Sequence, residues 1–171
     1  MDLFHRLNEV DGNLSVFAED LGIITDDVRQ LLTETGYSGM NVLQFAFVKG
    51  QESVYLPFHQ KHNSICYAGT HDNDTLLGWL HSLDNETRHY VFRFTRSGNC
   101  EDCAQALIDL AWQSNADTCI VLLQDLLGLG SESRINKPSV PEGNWRWRMP
   151  KGCLSDELSH LLRERNETYF R

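Results

Sequence analysis

Four short apolar runs, near residues 14–18, 41–48, 64–70 and 117–124, alternate with segments of helical spacing. At least three of them stop on polar or acidic side chains. Leu14-Ser15-Val16-Phe17-Ala18 ends on Glu19-Asp20, Ser64-Ile65-Cys66-Tyr67-Ala68 runs through Gly69-Thr70 into His71-Asp72-Asn73-Asp74, and Asp117 to Gln124 ends on Asp125. Such alternation is the pattern of parallel βα units, which bury strands on both faces and present polar groups at the carboxyl ends. Two architectures collect functional groups there, a doubly wound sheet and a (β/α)8 barrel. No glycine-rich phosphate loop follows the first run, which disfavours a dinucleotide-binding sheet. Four units make half of a barrel, so residues 1–171 read as a single partial domain of α/β class.

The intervening segments carry helix signals. Phe4, Leu7 and Val10 suit the tail of a helix closing at Asp11-Gly12-Asn13. Thr25 suits an N-cap before Asp26-Asp27, and Gly36 a C-terminal stop. Helical material is expected from about Thr75 to Leu83, then from Asp84 to a stop at Gly98. A stronger helix starts near Glu101, with Ala104, Leu107, Ile108, Ala111 and Trp112 on one face. Ser155 caps a final helix containing Leu158, Leu161 and Leu162.

A formal charge of −9 argues against nucleic acid as a partner, because binders of polyanions show a basic patch. No apolar run approaches the ~20 residues of a membrane span, and Met1 to Arg6 lacks the apolar core of a signal peptide. A cytoplasmic location and no membrane partner are therefore expected. Five scattered cysteines do not form a disulfide framework. Cys100-Glu101-Asp102-Cys103 has the spacing of a redox pair or half a zinc site, but no second pair completes it, and placement at a helix start is the favoured reading.

Two strand ends bearing carboxylates make Glu19 and Asp72 candidates for glycoside chemistry. That chemistry needs a carboxylic acid for the leaving oxygen and negative charge beside an oxocarbenium-like carbon. Alternation along a strand does not choose between Glu19 and Asp20, or between Asp72 and Asp74, and Glu19 or Asp20 also suits a simple turn cap. His71 reads equally as a metal ligand, a donor to a sugar hydroxyl or a structural residue. With His59 and His62 it raises a metal-dependent hydrolase as the competing reading. Trp145 and Trp147, in Trp-Arg-Trp-Arg, suit either a sugar-stacking platform or a clamp for the last helix, and the usual burial of Trp favours the clamp.

Five motifs occur in one order: Ala18-Glu19-Asp20-Leu21-Gly22, Val42-Leu43-Gln44-Phe45-Ala46-Phe47, Gly69-Thr70-His71-Asp72-Asn73-Asp74-Thr75, Gln124-Asp125-Leu126-Leu127-Gly128-Leu129-Gly130 and Gly143-Asn144-Trp145-Arg146-Trp147-Arg148. Together, from Leu14 onward, they resemble the C-terminal part of the 4-α-glucanotransferases, also called amylomaltases or disproportionating enzymes. The resemblance implies the C-terminal half of a (β/α)8 barrel and transfer of α-1,4-glucan segments between maltooligosaccharides, by a retaining double displacement. It implies Glu19 as general acid/base, Asp72 as the carboxylate stabilising the transition state, and Asp20, Phe47, His71 and Asn136 as glucan-binding residues. It calls for no cofactor and no metal.

One feature of that family is missing here. Its nucleophile is an aspartate in an Arg-x-Asp-His type motif at an earlier strand end, and no such motif precedes Leu14. A retaining mechanism needs two carboxyl groups about 5 Å apart across the scissile bond. The 171 residues by themselves are therefore expected to be inactive. Open sheet edges make self-association a further expectation.

Overall fold

The computed structural model describes residues 2–12 and 16–171. Helix α1 (Asp2–Asp11) opens the chain. Leu14 and Ser15 of the first expected strand lie outside the described residues, as does Asn13 of the expected turn. The rest of that run makes a single parallel bridge, Phe17 to Ser38, with the Ala18 amide donating to the Ser38 carbonyl at 2.8 Å. Helix α2 (Asp26–Thr35) ends on Gly36 at φ +68°, where the amide of Gly36 donates to the Leu32 carbonyl. That left-handed stop is where glycine carries no Cβ penalty.

Strand β1 (Gly39–Val42) pairs in parallel with β2 (Ser64–Tyr67), Gly39 opposite Ser64. β2 pairs in parallel with β3 (Thr118–Ile120), Ile65 opposite Thr118, giving the order β1-β2-β3. The α/β class with a parallel sheet is as expected, but the strands are shorter than the apolar runs. The run near 41–48 is strand only to Val42 and then coils into a 3-10 turn, Leu43–Ala46. The reason is polar: buried Gln44 cannot stay unpaired, and the turn lets its Nε2 donate to the Asp74 carbonyl at 2.8 Å. The run near 117–124 likewise leaves the sheet after Ile120. It forms the short helix α6 (Leu123–Leu126), which takes Gln124 and Asp125, each 2% exposed, into the interior. The run near 64–70 ends as strand at Tyr67, although the Ala68 amide still reaches the Ile120 carbonyl at 3.2 Å.

Between these strands, α3 (Leu76–Ser82) begins on Thr75, whose hydroxyl accepts from the Gly78 amide at 3.1 Å. Helix α4 (Asn85–Thr95) begins on Asp84, which accepts from the Thr87 amide, and stops at Arg96 with φ +57°, two residues before the expected Gly98. Helix α5 (Cys100–Trp112) begins on Asn99 and buries Cys103, Ala104, Leu107, Ile108 and Ala111 against the sheet, α3 and α4. Helix α7 (Asp156–Tyr169), capped by Ser155, lies against α5. Arg165 fastens it by donating to Asp109 and Gln105, both at 2.8 Å, and Trp112 Nε1 donates to Asn166 at 2.9 Å. Among the described residues, no helix is long and apolar enough to cross a membrane.

Candidate active site

Because the strands are parallel, the residues leaving Ala18, Val42, Tyr67 and Ile120 all emerge at one edge of the sheet. Glu19 is exposed there, while Asp20 is turned back on the backbone and accepts from the Met40 amide at 2.7 Å. A Cβ on Gly39 would meet Asp20 Oδ2 at 2.8 Å, so the glycine at the head of β1 is what lets this carboxylate approach. Burial pushes the Tyr67 phenol above its ordinary value, and the Glu19 carboxylate adds to the rise. The first strand end thus exerts its charge on the end of β2, three residues before Thr70 opens the polar stretch.

That stretch is a tight loop. Thr70 donates to Asn73 Oδ1 through both its amide, at 2.9 Å, and its hydroxyl, at 2.8 Å, and the Asp72 amide reaches Thr70 Oγ1 at 3.3 Å. The loop presents Asp72 with its side chain 44% exposed. Asp72 Oδ1 accepts from Asn136 Nδ2 at 2.6 Å and lies 3.3 Å from His71 Nε2. The Asn136 amide in turn donates to the His71 carbonyl at 3.1 Å, so His71, Asp72 and Asn136 form one cluster although 64 residues separate the outer two partners of the short bond.

Asp74 differs from Asp72. Its Oδ1 accepts from the Thr75 amide and its Oδ2 from the Ser131 hydroxyl, each at 2.8 Å, with Arg134 Nη1 at 3.9 Å, and its side chain is only 18% exposed. It is a latch on the following loop, and it leaves Asp72 as the accessible carboxylate of the pair. Behind it, Asp125 Oδ1 accepts from the Leu76 amide at 2.7 Å, while its buried Oδ2 has no hydrogen-bond partner. Burial raises the Asp125 carboxyl to about 6, the Leu76 bond opposes that rise and the Asp74 charge adds to it.

Two residues here escaped sequence reasoning. Arg134 donates to the Asp72 carbonyl at 2.6 Å and to the Asn136 carbonyl at 2.8 Å, tying the two loops together. A lone arginine in a loop carries no spacing signal that would reveal this. Asp125 is visible in the sequence only as a strand end, whereas its burial under α3 depends on the turn into α6.

Other candidate residues lie elsewhere. Phe47 is 5% exposed and packs against Phe94 (5.3 Å between centroids), Trp79 and Tyr90, so it belongs to the core. His59 pairs with Glu52 at 2.8 Å and His62 lies 3.6 Å from Asp117, each apart from the Asp72 cluster. Among the described residues no three His, Cys, Asp or Glu side chains gather in a way that would hold a metal. Cys100 and Cys103 are free, buried thiols in the first turn of α5, and burial pushes both up. The clamp expected of Trp145 is not found: the residue is 57% exposed, and Arg165, Trp112 and Arg171 hold the last helix instead. Trp145 sits with its ring 5.2 Å from that of His71. A cavity of about 360 Å³ includes Asp20, Arg29, Tyr55 and Lys61 but none of Glu19, His71, Asp72 and Asn136.

Comparison with known proteins places this arrangement. A family model described as 4-alpha-glucanotransferase matches residues 1–155. The chloroplastic/amyloplastic 4-alpha-glucanotransferase of Oryza sativa subsp. japonica is 43% identical over 156 residues, 91% of this chain and 26% of that protein. The 4-alpha-glucanotransferase of Streptococcus pneumoniae serotype 4 is 39% identical over 170 residues, 99% of this chain and 34% of that protein. Among solved structures, the amylomaltase of Streptococcus agalactiae in complex with acarbose superposes with a TM-score of 0.92 at 34% identity, covering 99% of this chain and 34% of the other. The chain therefore spans a quarter to a third of the length of these relatives. On the family match and on relatives aligned over nearly all of its length, the chain belongs to the 4-alpha-glucanotransferase family.

Proposed function

We propose that these residues supply the acid/base and the stabilising carboxylate of a glucan-transferring active site, set in the C-terminal half of a (β/α)8 barrel. Glu19 protonates the glycosidic oxygen as the leaving glucan departs, then takes the proton from the incoming 4-hydroxyl. Asp72 lies against the sugar ring as positive charge develops at its anomeric carbon, and His71 and Asn136 hold Asp72 and the ring hydroxyls in register. Asp20 acts at one remove, by fixing the loop after Ala18 to the Met40 amide. Phe47 supports the same strand end from the core and has no substrate contact. Substrates are α-1,4-glucans and maltooligosaccharides.

The observation that carries this reading is the accessible Asp72 carboxylate gripped by Asn136 and His71, at the same end of the parallel sheet as Glu19 with β1 between them, within a chain that overlays an acarbose-bound amylomaltase at a TM-score of 0.92. A retaining reaction also needs a nucleophilic carboxylate about 5 Å from the acid. The 171 residues offer none in the Arg-x-Asp-His pattern, so their chemistry depends on a carboxylate supplied from outside this stretch.

The test is a product ladder from maltotriose. Three samples are compared: the 171-residue chain, a chimera in which it replaces the matching third of the Streptococcus pneumoniae enzyme, and that chimera with Glu19→Gln. A ladder from the chimera alone, reduced about 10³-fold by Glu19→Gln as expected for loss of a general acid/base, supports the proposal. A folded chimera without a ladder refutes it and leaves a non-catalytic glucan-binding half-barrel. A ladder from the 171 residues alone refutes the requirement for an external nucleophile.

A further inference from the structure

We propose that Trp145 is a stacking platform for a hexopyranose ring beside the Asp72 cluster, an inference that rests on the glucan-transfer reading and adds a binding residue to that site. Three independent features of the loop support it. The first is exposure: an indole usually hides most of its area in a fold, yet Trp145 is 57% exposed. The second is position. The indole lies 5.2 Å from the His71 imidazole, with the planes tilted by 40°, and His71 Nε2 is 3.3 Å from Asp72 Oδ1. An apolar step therefore stands directly beside a carboxylate, an imidazole and a carboxamide.

The third feature is the backbone. Trp145 has φ +63°, a left-handed conformation that bulky residues rarely adopt and that glycine or asparagine adopts with far less strain. The loop enforces it from several sides. The Trp145 amide donates to the Ile135 carbonyl at 2.8 Å, and Arg148 Nη1 donates to the Trp145 carbonyl at 3.2 Å. The Asn144 carboxamide accepts from the Lys137 amide at 2.9 Å and donates to the Val140 carbonyl at 2.8 Å. Glycine already serves this loop two residues earlier, at Gly143 with φ +87°. A loop needing only to turn has an easier choice at 145 than tryptophan, so the ring itself accounts for the residue.

The ligand is set by the chemistry of the surroundings. A pyranose ring offers C–H faces that bury against an indole and a rim of hydroxyls that pair with carboxylate, imidazole and amide groups. An aromatic ligand would find the same face but would leave Asp72, His71 and Asn136 without hydroxyl partners. The net charge of −9 opposes polyphosphate-bearing ligands. Through Ile135 the Trp145 backbone is also tied to the segment carrying Asn136, so a sugar on the platform is registered against the Asp72 carboxylate.

The experiment uses the same chimera and two variants of it. Trp145→Asn removes the ring but suits a left-handed backbone, so any loss is not strain; Trp145→Phe keeps a smaller ring. With maltotriose as substrate, KM is expected to rise about tenfold in Trp145→Asn, the scale of one aromatic contact, with kcat within about threefold and an intermediate KM for Trp145→Phe. Maltohexaose binding by calorimetry should weaken in parallel. Unchanged KM and binding in Trp145→Asn overturn the inference while the wild-type ladder keeps the parent reading. Equal losses in both variants also overturn it, because then the ring is not what matters. A wild-type chimera that neither forms a ladder nor binds maltohexaose overturns both readings together.

Discussion

Asp125 is the residue whose environment is least compatible with its charge. It is 2% exposed, one oxygen is satisfied by the Leu76 amide, the other has no hydrogen-bond partner, and Asp74 faces it with the same charge. Its carboxyl is raised from the ordinary 3.8 to about 6, so ionising it in the fold costs on the order of 3 kcal/mol relative to water. The sign is set by proton binding: between these two values the folded chain holds a proton that the unfolded chain has released. The stabilisation is complete below about pH 4 and is lost as pH rises through about 6. Asp125→Asn keeps an acceptor for Leu76 and places an amide toward Asp74. The difference in unfolding free energy between Asp125→Asn and wild type, measured by urea denaturation, should therefore shift by about 3 kcal/mol in favour of the variant between pH 4 and 7, then stay level. A difference that is flat with pH would show that Asp125 is not the buried acid. Nothing in the local sequence announces this. Asp125 comes after an apolar run and looks like any polar strand end, because burial is decided by α3, which is contributed by residues some fifty positions away. The polar strand ends that carry Glu19-Asp20 and Asp72 to Asp74 are legible for the opposite reason, since parallel strands must release their chains there, but which carboxylate of each pair stays accessible is decided by bonds to Met40, Thr75 and Ser131 that pattern does not reveal.

At the level of elements, the contact between α3 and the 3-10 turn at Ser131–Ser133 positions the polar loop. Gly78 lies on the α3 face toward that turn, where a Cβ would collide with Ser131 Oγ and come within 2.8 Å of Asp74 Oδ1. In an open helix Gly→Ala stabilises by about 1 kcal/mol. Here the added methyl meets the Ser131–Asp74 bond, and forced overpacking of this kind costs about 1–3 kcal/mol. Gly78→Ala is thus expected to lower stability. The double variant with Ser131→Ala should recover only part of the loss, because Asp74 Oδ1 still lies 2.8 Å from the added Cβ; a stabilising Gly78→Ala would refute the close approach. The same neighbourhood shows why the strands stop short of their apolar runs. Residues 43–48 and 121–124 are apolar enough to read as strand, but Gln44, Gln124 and Asp125 need partners outside the ladder. Their hydrogen bonds to Asp74, Ser133 and Leu76 require the chain to coil. Helix starts are more legible, since Thr75, Asp84 and Ser155 cap through local bonds within three residues, and local bonds are what sequence encodes most directly. Phe47 and Trp145 mark the limit: both are aromatics near the polar edge, and only packing decides that one joins the core and the other stands in solvent.

For the molecule as a whole, the proposed half-barrel leaves two boundaries that a closed barrel would remove. On one side β1 is flanked by a single bridge to Phe17, which is itself 54% exposed. On the other, β3 is the outer strand, and Thr118, Cys119 and Ile120 are all only half-buried. Unpaired amides and carbonyls beside apolar side chains form a template for another strand. Exposed Ile23, Val54 and Phe58 add apolar area. The net charge of −9 opposes association through long-range repulsion, which salt screens over a Debye length of about 8 Å at physiological strength. Edge pairing and apolar contact act at closer range and are not screened. The 171-residue chain is therefore expected to sediment above its 19.6 kDa monomer mass at micromolar concentration, and more so as salt is raised. Ile120→Lys, which puts a charge on the outer strand, should shift it toward monomer without lowering helix content, whereas Ile23→Lys, off the sheet edge, should shift it less. A monomer at high salt and about 100 µM, within the micromolar-to-millimolar range in which exposed edges and apolar surface associate, would show that the edges are already protected. Equal effects of the two substitutions would place the contact on apolar loops instead of the sheet edge.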